Sequence, residues 1–140
     1  MRTWTIAEAN AALDDVRALL ADARAAQAAV DEAAMQLEDL CIVYGAEAQQ
    51  PGHAQHAEWQ LWQQRHDAAR LHLAATVAAF DTAAVSLKDI TLGLVDFAGR
   101  VGRRMVWLCW REGEDAVRFW HPLDAGFTGR RAIPADEAQA

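Results

Sequence analysis

Apolar and small residues recur along the first third of the chain at spacings that alternate three and four: Ile6, Ala9, Leu13, Val16, Leu20, Ala23, Gln27, Val30, Ala34, Leu37, Cys41 and Tyr44. A 3.5-residue period is the seam of a helix that packs along another helix in coiled-coil fashion. Thr5-Ile6-Ala7-Glu8 opens it as a capping box, in which the hydroxyl and the carboxylate each satisfy a free backbone N–H. Gly45 closes it as a C-cap glycine. At 1.5 Å per residue such a helix is roughly 58 Å long, too long to stand alone in water, so it requires a partner.

The chain supplies one. Ala46 to His56, with Pro51 and Gly52, reads as a turn, and a second helix is expected from about His53 to Leu87. Its seam runs Trp59, Trp62, His66, Ala69, Leu73, Thr76, Phe80, Ala83, Leu87. A second apolar stripe, including Leu61, Ala68, Leu71, Ala75, Ala78 and Val85, predicts that this helix is covered on two sides. Those six residues are the expected self-association face, and a homodimer or other homo-oligomer is the expected assembly. His66 and Gln27 read as seam polar residues, the histidine satisfied in the core and the glutamine fixing register.

After Leu87 the period changes. Ile90 to Phe97 is rich in β-branched and apolar residues, residues 98–104 read as a flexible loop, and Met105–Arg111 with Ala116–His121 give a hairpin signal around Glu-Gly-Glu-Asp. A two-residue turn at Gly113-Glu114 pairs Val106 with His121, Leu108 with Phe119 and Trp110 with Val117, which sets Cys109 and His121 on opposite faces. The expected fold is therefore mainly α with a small antiparallel β-element (α+β). It is a single domain with a helical hairpin over 5–87, a β-element over 88–131 and a disordered tail over 132–140.

The charge is uneven. The chain carries a formal net −7, all of it in residues 1–87, where 12 acidic side chains face 5 basic ones, while residues 88–140 hold 8 of each. Acidic helices oppose binding to nucleic acid and to anionic membrane. No apolar run approaches the ~20 residues of a membrane span, and no leader is read at the N-terminus. Cys41 and Cys109 follow no zinc or redox spacing, so free thiols in a reducing cytoplasm are expected.

Three C-terminal stretches carry a resemblance: Gly-Leu-Val-Asp-Phe (93–97), Leu-Cys-Trp-Arg (108–111) and Phe-Trp-His-Pro-Leu-Asp-Ala-Gly-Phe-Thr-Gly-Arg (119–130). With Trp-Thr-Ile-Ala-Glu-Ala-Asn (4–10) near the start, the chain resembles the bacterial domain of unknown function 2203 family over nearly its whole length. It departs from that pattern at Asp14-Asp15, where a proline is expected, and at Ala98, where proline often follows the phenylalanine. The resemblance supports the fold and implies no activity.

Residues able to carry chemistry concentrate in the β-element. A small-ligand pocket would use Asp96, Trp107, Trp110, Arg111, Trp120, His121, Asp124 and Arg130, with indole rings for apolar area and arginine for a carboxylate or phosphate. A metal would fall to Cys109, His121 and Asp124, with Asp96 a further donor, although the expected register separates Cys109 from His121. The same separation opposes a nucleophilic Cys–His pair, and tryptophans on a small sheet commonly serve only to attach it to helices. No cofactor is expected, and no motif names a reaction. The leading expectation is a non-enzymatic, self-associating interaction protein, with the ligand or metal site second and an enzyme third.

Overall fold

The computed structural model describes residues 2–137. The last residues of the expected tail, 138–140, lie outside the described residues. The chain divides into two compact units, one formed by residues up to Ala21 with those from Val77 onward, the other by Asp22–Thr76.

The helical hairpin is as expected in kind. A short helix α1 (Ile6–Ala11) leads into α2 (Leu13–Tyr44), which a 3-10 turn and a loop connect to α3 (His56–Thr82). The capping box is formed: Thr5 Oγ1 accepts from Glu8 N at 3.0 Å, and Glu8 Oε1 accepts from Thr5 N at 2.9 Å. Among the described residues no helix is long and apolar enough to cross a membrane.

In the Asp22–Thr76 unit the seam of α2 departs from the strict 3–4 alternation. Ala26, Ala33 and Leu40 are buried where the alternation points to Gln27, Ala34 and Cys41. Alanines crowd this stretch, so side-chain volume hardly distinguishes one phase from the next, and Leu40 offers more apolar area than Cys41. Gln27 does not fix register in a core. It donates to Asp31 Oδ1 at 3.0 Å, one turn on, in an exposed pair. His66 is half-buried rather than satisfied: its Nδ1 has no hydrogen-bond partner among the described residues.

In the other unit, α3 stops sooner than the apolar stripe suggests. Val85 N donates to Phe80 O and Ala84 N to Asp81 O, both at 3.0 Å, the paired bonds of a Schellman ending. Ala84 sits at φ +60°, so the chain turns there and Val85 is driven inward to 2% exposure. Val85 therefore does not belong to the exposed stripe of α3.

Five antiparallel strands follow in simple order: β1 (Ser86–Asp89), β2 (Leu94–Val101), β3 (Arg104–Arg111), β4 (Phe119–His121) and β5 (Arg131–Ala132). The expected 98–104 loop is instead the end of β2, a tight turn with Gly102 at φ +60°, and the start of β3. Val95, Phe97, Val106, Leu108 and Trp110 are buried on one face. The segment before α1 and the start of α2 meet that face: Trp4 packs edge-on against Phe97 at 5.1 Å, and the Arg17 guanidinium lies over Trp110 at 5.3 Å. Burying a side chain of Phe97's size is worth about 1.5–3 kcal/mol. Trp4 also donates its backbone N–H to Ala98 O at 2.7 Å. That approach requires Gly99, where a Cβ would stand 2.6 Å from Leu108 Cδ1 and 2.9 Å from Trp4 O.

The pairing of β3 with β4 corrects the expected register by one residue: Trp107 faces His121, Leu108 faces Trp120 and Cys109 faces Phe119. The connection is not a two-residue turn. Arg111 N donates to Glu114 Oε1 at 2.7 Å, Glu114 N to Arg111 O at 3.1 Å, and Val117 N is drawn to Asn10 Oδ1 at 2.7 Å. These bonds hold the connecting residues off the ladder, so β4 begins later and its side-chain alternation reverses. At the far edge Ile133 is buried, and its N–H donates to Arg118 O at 2.8 Å, tying the start of the expected tail to the sheet.

Candidate functional site

The one-residue slip assembles the site. Asp96 on β2 pairs directly with Cys109 on β3, and His121 on β4 lies one pleat along on the same face. Their donor atoms lie within 4.8 Å of one another, and all three residues are buried, at 2%, 1% and 1% exposure. Zinc holds oxygen, nitrogen and sulfur ligands at about 2.0–2.3 Å, so tetrahedral neighbours stand roughly 3.3–3.8 Å apart. The donor atoms of the trio are gathered near that scale, with His121 Nε2 and Asp96 Oδ2 drawn closer, to 2.9 Å, by the hydrogen bond they share.

Hydrogen bonding orients the histidine. Nδ1 of His121 lies 3.0 Å from Pro122 O. A carbonyl only accepts, so Nδ1 carries hydrogen and donates. Nε2 lies 2.9 Å from Asp96 Oδ2, and one proton occupies that contact whichever atom holds it. Removing it leaves the Nε2 lone pair and a carboxylate facing Cys109, with the Nδ1–H anchored to backbone as in histidines that ligate metals. The second carboxylate oxygen, Asp96 Oδ1, is buried with no hydrogen-bond partner among the described residues. A buried carboxylate oxygen without a donor is costly, and a cation would satisfy it.

Burial, and then the adjacent Asp96 carboxylate, push the Cys109 thiol up to about 12, with Arg130 opposing them. Neither nitrogen of His121 is free to act as a base for this thiol, since both are engaged elsewhere. A Cys–His nucleophile is therefore not assembled.

Asp96 and His121 form the inner wall of a cleft of about 250 Å³, whose other walls include Lys88, Trp107, Leu123 and Phe127. Lys88 Nζ stands 5.4 Å from the Trp107 ring. Leu123 is 55% exposed.

Of the residues singled out from sequence, Asp96, Trp107 and His121 are brought together at the cleft, with Cys109 beside them. The rest are not. Trp110 is fully buried on the opposite face and donates Nε1–H to Glu114 O at 3.1 Å. Trp120 alternates to that face as well, with Arg131 over its ring at 5.2 Å. Arg111 is exposed at the end of β3, and Asp124 is exposed and outside the metal-sized trio. Arg130 is engaged structurally: Nη2 donates to Glu114 Oε1 at 2.7 Å and to Cys109 O at 3.3 Å, with its guanidinium 4.1 Å from the Phe119 ring and 4.6 Å from the Phe127 ring. Lys88, Leu123 and Phe127 escaped sequence reasoning. An exposed lysine on an edge strand carries no motif, and the two apolar residues join the site only through the path of the loop after His121.

The model of the DUF2203 family, described as an uncharacterised conserved protein, matches residues 2–133, and the chain belongs to that family. No curated protein and no solved structure matches it.

Proposed function

We infer that this protein binds a single divalent transition-metal ion through Asp96, Cys109 and His121. The observation that carries the reading is the convergence of three buried donors around an unpartnered carboxylate oxygen. One thiolate, one carboxylate and one neutral imidazole give a charge of −2, which a divalent ion neutralises, and the O, N, S set suits zinc or ferrous iron. Three protein ligands leave the ion an open position, the arrangement of reactive rather than purely structural zinc sites. The side chains around the trio line a cleft, and a reducing, cytoplasmic setting fits its free thiol.

Elemental analysis and native mass spectrometry of the freshly purified chain test this. About one equivalent of metal is expected, with Cys109→Ser, Asp96→Asn and His121→Ala each weakening uptake by at least about tenfold. A metal-free mass, together with a melting temperature unmoved by zinc, cobalt or ferrous iron, would overturn it.

A second reading, self-association through α3, is favoured by the exposure of Leu61 at 44% and Leu71 at 75%, with Ala68, Ala75 and Ala78 exposed on the same helix. Buried against a second copy, this face would bring two acidic hairpins together as a homodimer. Light scattering that finds only monomer at micromolar concentration removes that reading.

A further inference from the structure

We propose that the open position of the metal site takes a small organic carboxylate with an apolar body, and that Lys88 supplies its counter-charge; this rests on the metal reading above. The trio and a divalent ion together are neutral, so the charge in the cleft is set by the other lining residues. Among these, Lys88 alone is ionisable apart from Asp96 and His121 of the trio. One cation matches one negative charge. Among the described residues no arginine lines the cleft to grip a phosphate through paired N–H groups, and Arg130 is held by Glu114.

The remaining walls say what the carboxylate is attached to. Leu94, Trp107, Leu123 and Phe127 present apolar and aromatic surface around the opening, which favours a hydrocarbon or aromatic body over a polyol or a sugar phosphate. Lys88 stands over Trp107 from strand β1, so the ammonium and the aromatic wall are presented together. A carboxylate reaching the ion would have its charge flanked by the metal on one side and Lys88 on the other, with its body against Trp107.

The test uses the full chain loaded with cobalt(II), whose visible bands report changes at the ion. Benzoate is expected to shift those bands saturably and to bind several-fold more tightly than acetate. Lys88→Met, a change at an exposed position, is expected to weaken benzoate by roughly tenfold while cobalt stoichiometry stays unchanged. Benzamide, of the same shape without the charge, is expected to leave the spectrum unmoved. A chain that takes up cobalt but ignores benzoate overturns this inference and leaves the metal reading standing, and so does a Lys88→Met chain that binds benzoate as well as the parent. Tighter binding of inorganic phosphate than of benzoate overturns the carboxylate assignment. Failure to take up cobalt at all overturns the metal reading, and this inference with it.

Discussion

His121 and Asp96 meet across an intervening strand: they sit on β4 and β2, with β3 between them, yet Nε2 and Oδ2 stand 2.9 Å apart. The contact exists because His121 is displaced one pleat from the Asp96–Cys109 pair and reaches back along the shared face. Two polar groups buried to this degree depend on one another. Asp96→Asn keeps a donor for His121 Nε2 through its amide, so a loss of only about 1 kcal/mol is expected. Asp96→Leu leaves the imidazole nitrogen buried and unpaired, and a loss of about 3 kcal/mol is expected. Urea denaturation of the metal-free chains checks the difference, and equal losses would show that the pair contributes no more than packing.

Cys109 and Cys41 should differ in reactivity. Burial beside a carboxylate holds the Cys109 thiol at about 12, so thiolate is scarce at pH 8 and access is blocked as well. In the folded, metal-free chain, iodoacetamide is expected to label Cys41 and spare Cys109, with both labelled in guanidinium. Peptide mapping reads this directly. The linkage has a sign: the thiol is neutral in the folded chain up to about 12 but ionises near 9.0 when unfolded. Stability is therefore unaffected below pH 9.0 and falls as pH rises from there toward 12. Cys109→Ala should remove that part of the alkaline decline.

Arg130 and Glu114 hold the loop that walls the cleft. Glu114 Oε1 accepts from both Arg111 N and Arg130 Nη2, each at 2.7 Å, and the guanidinium packs against Phe119 and Phe127. Arg130→Ala leaves a partly buried carboxylate with one donor fewer and removes the flat surface on which Phe127 rests. A loss of about 2–3 kcal/mol is expected. Arg130→Lys should restore little of it, because an ammonium lacks the planar face. Chemical denaturation of both variants checks this, and full rescue by lysine would reduce the contact to a simple charge pair.

The helices and the chemically able residues were legible because each depends on near neighbours. The capping box is written in Thr5 and Glu8, and the seam of α3 in the spacing from Trp59 to Phe80. The phase of α2 past Ala23 was not, since adjacent alanines give burial no preference. The site was named but not assembled. Whether Cys109 and His121 share a face turns on the parity of the β3–β4 connection, and that depends in part on Asn10 reaching Val117 across 107 positions. No local turn motif carries that information.

The end of α3 was hidden for a related reason, and it leads to a prediction that runs against ordinary propensity. A Schellman ending favours glycine at the residue that turns left-handed, and here Ala84 occupies it at φ +60°. The bonds from Val85 N to Phe80 O and from Ala84 N to Asp81 O close the helix, and both Phe80 and Val85 are buried beside it. Trp4 adds a further tie, donating Nε1–H to Ala84 O at 3.0 Å. The left-handed conformation costs an L-residue about 1–2 kcal/mol, while glycine's greater freedom when unfolded costs it about 0.5–1 kcal/mol relative to alanine. The strain is the larger of the two, so Ala84→Gly should stabilise the chain by up to about 1 kcal/mol, although glycine substitutions in a helix interior ordinarily destabilise. A β-branched residue has the opposite effect, and Ala84→Val should cost more than 1–2 kcal/mol. Thermal denaturation of the two variants against the parent decides it: a lower melting temperature for Ala84→Gly would mean that packing of the Ala84 methyl group outweighs the strain in its backbone.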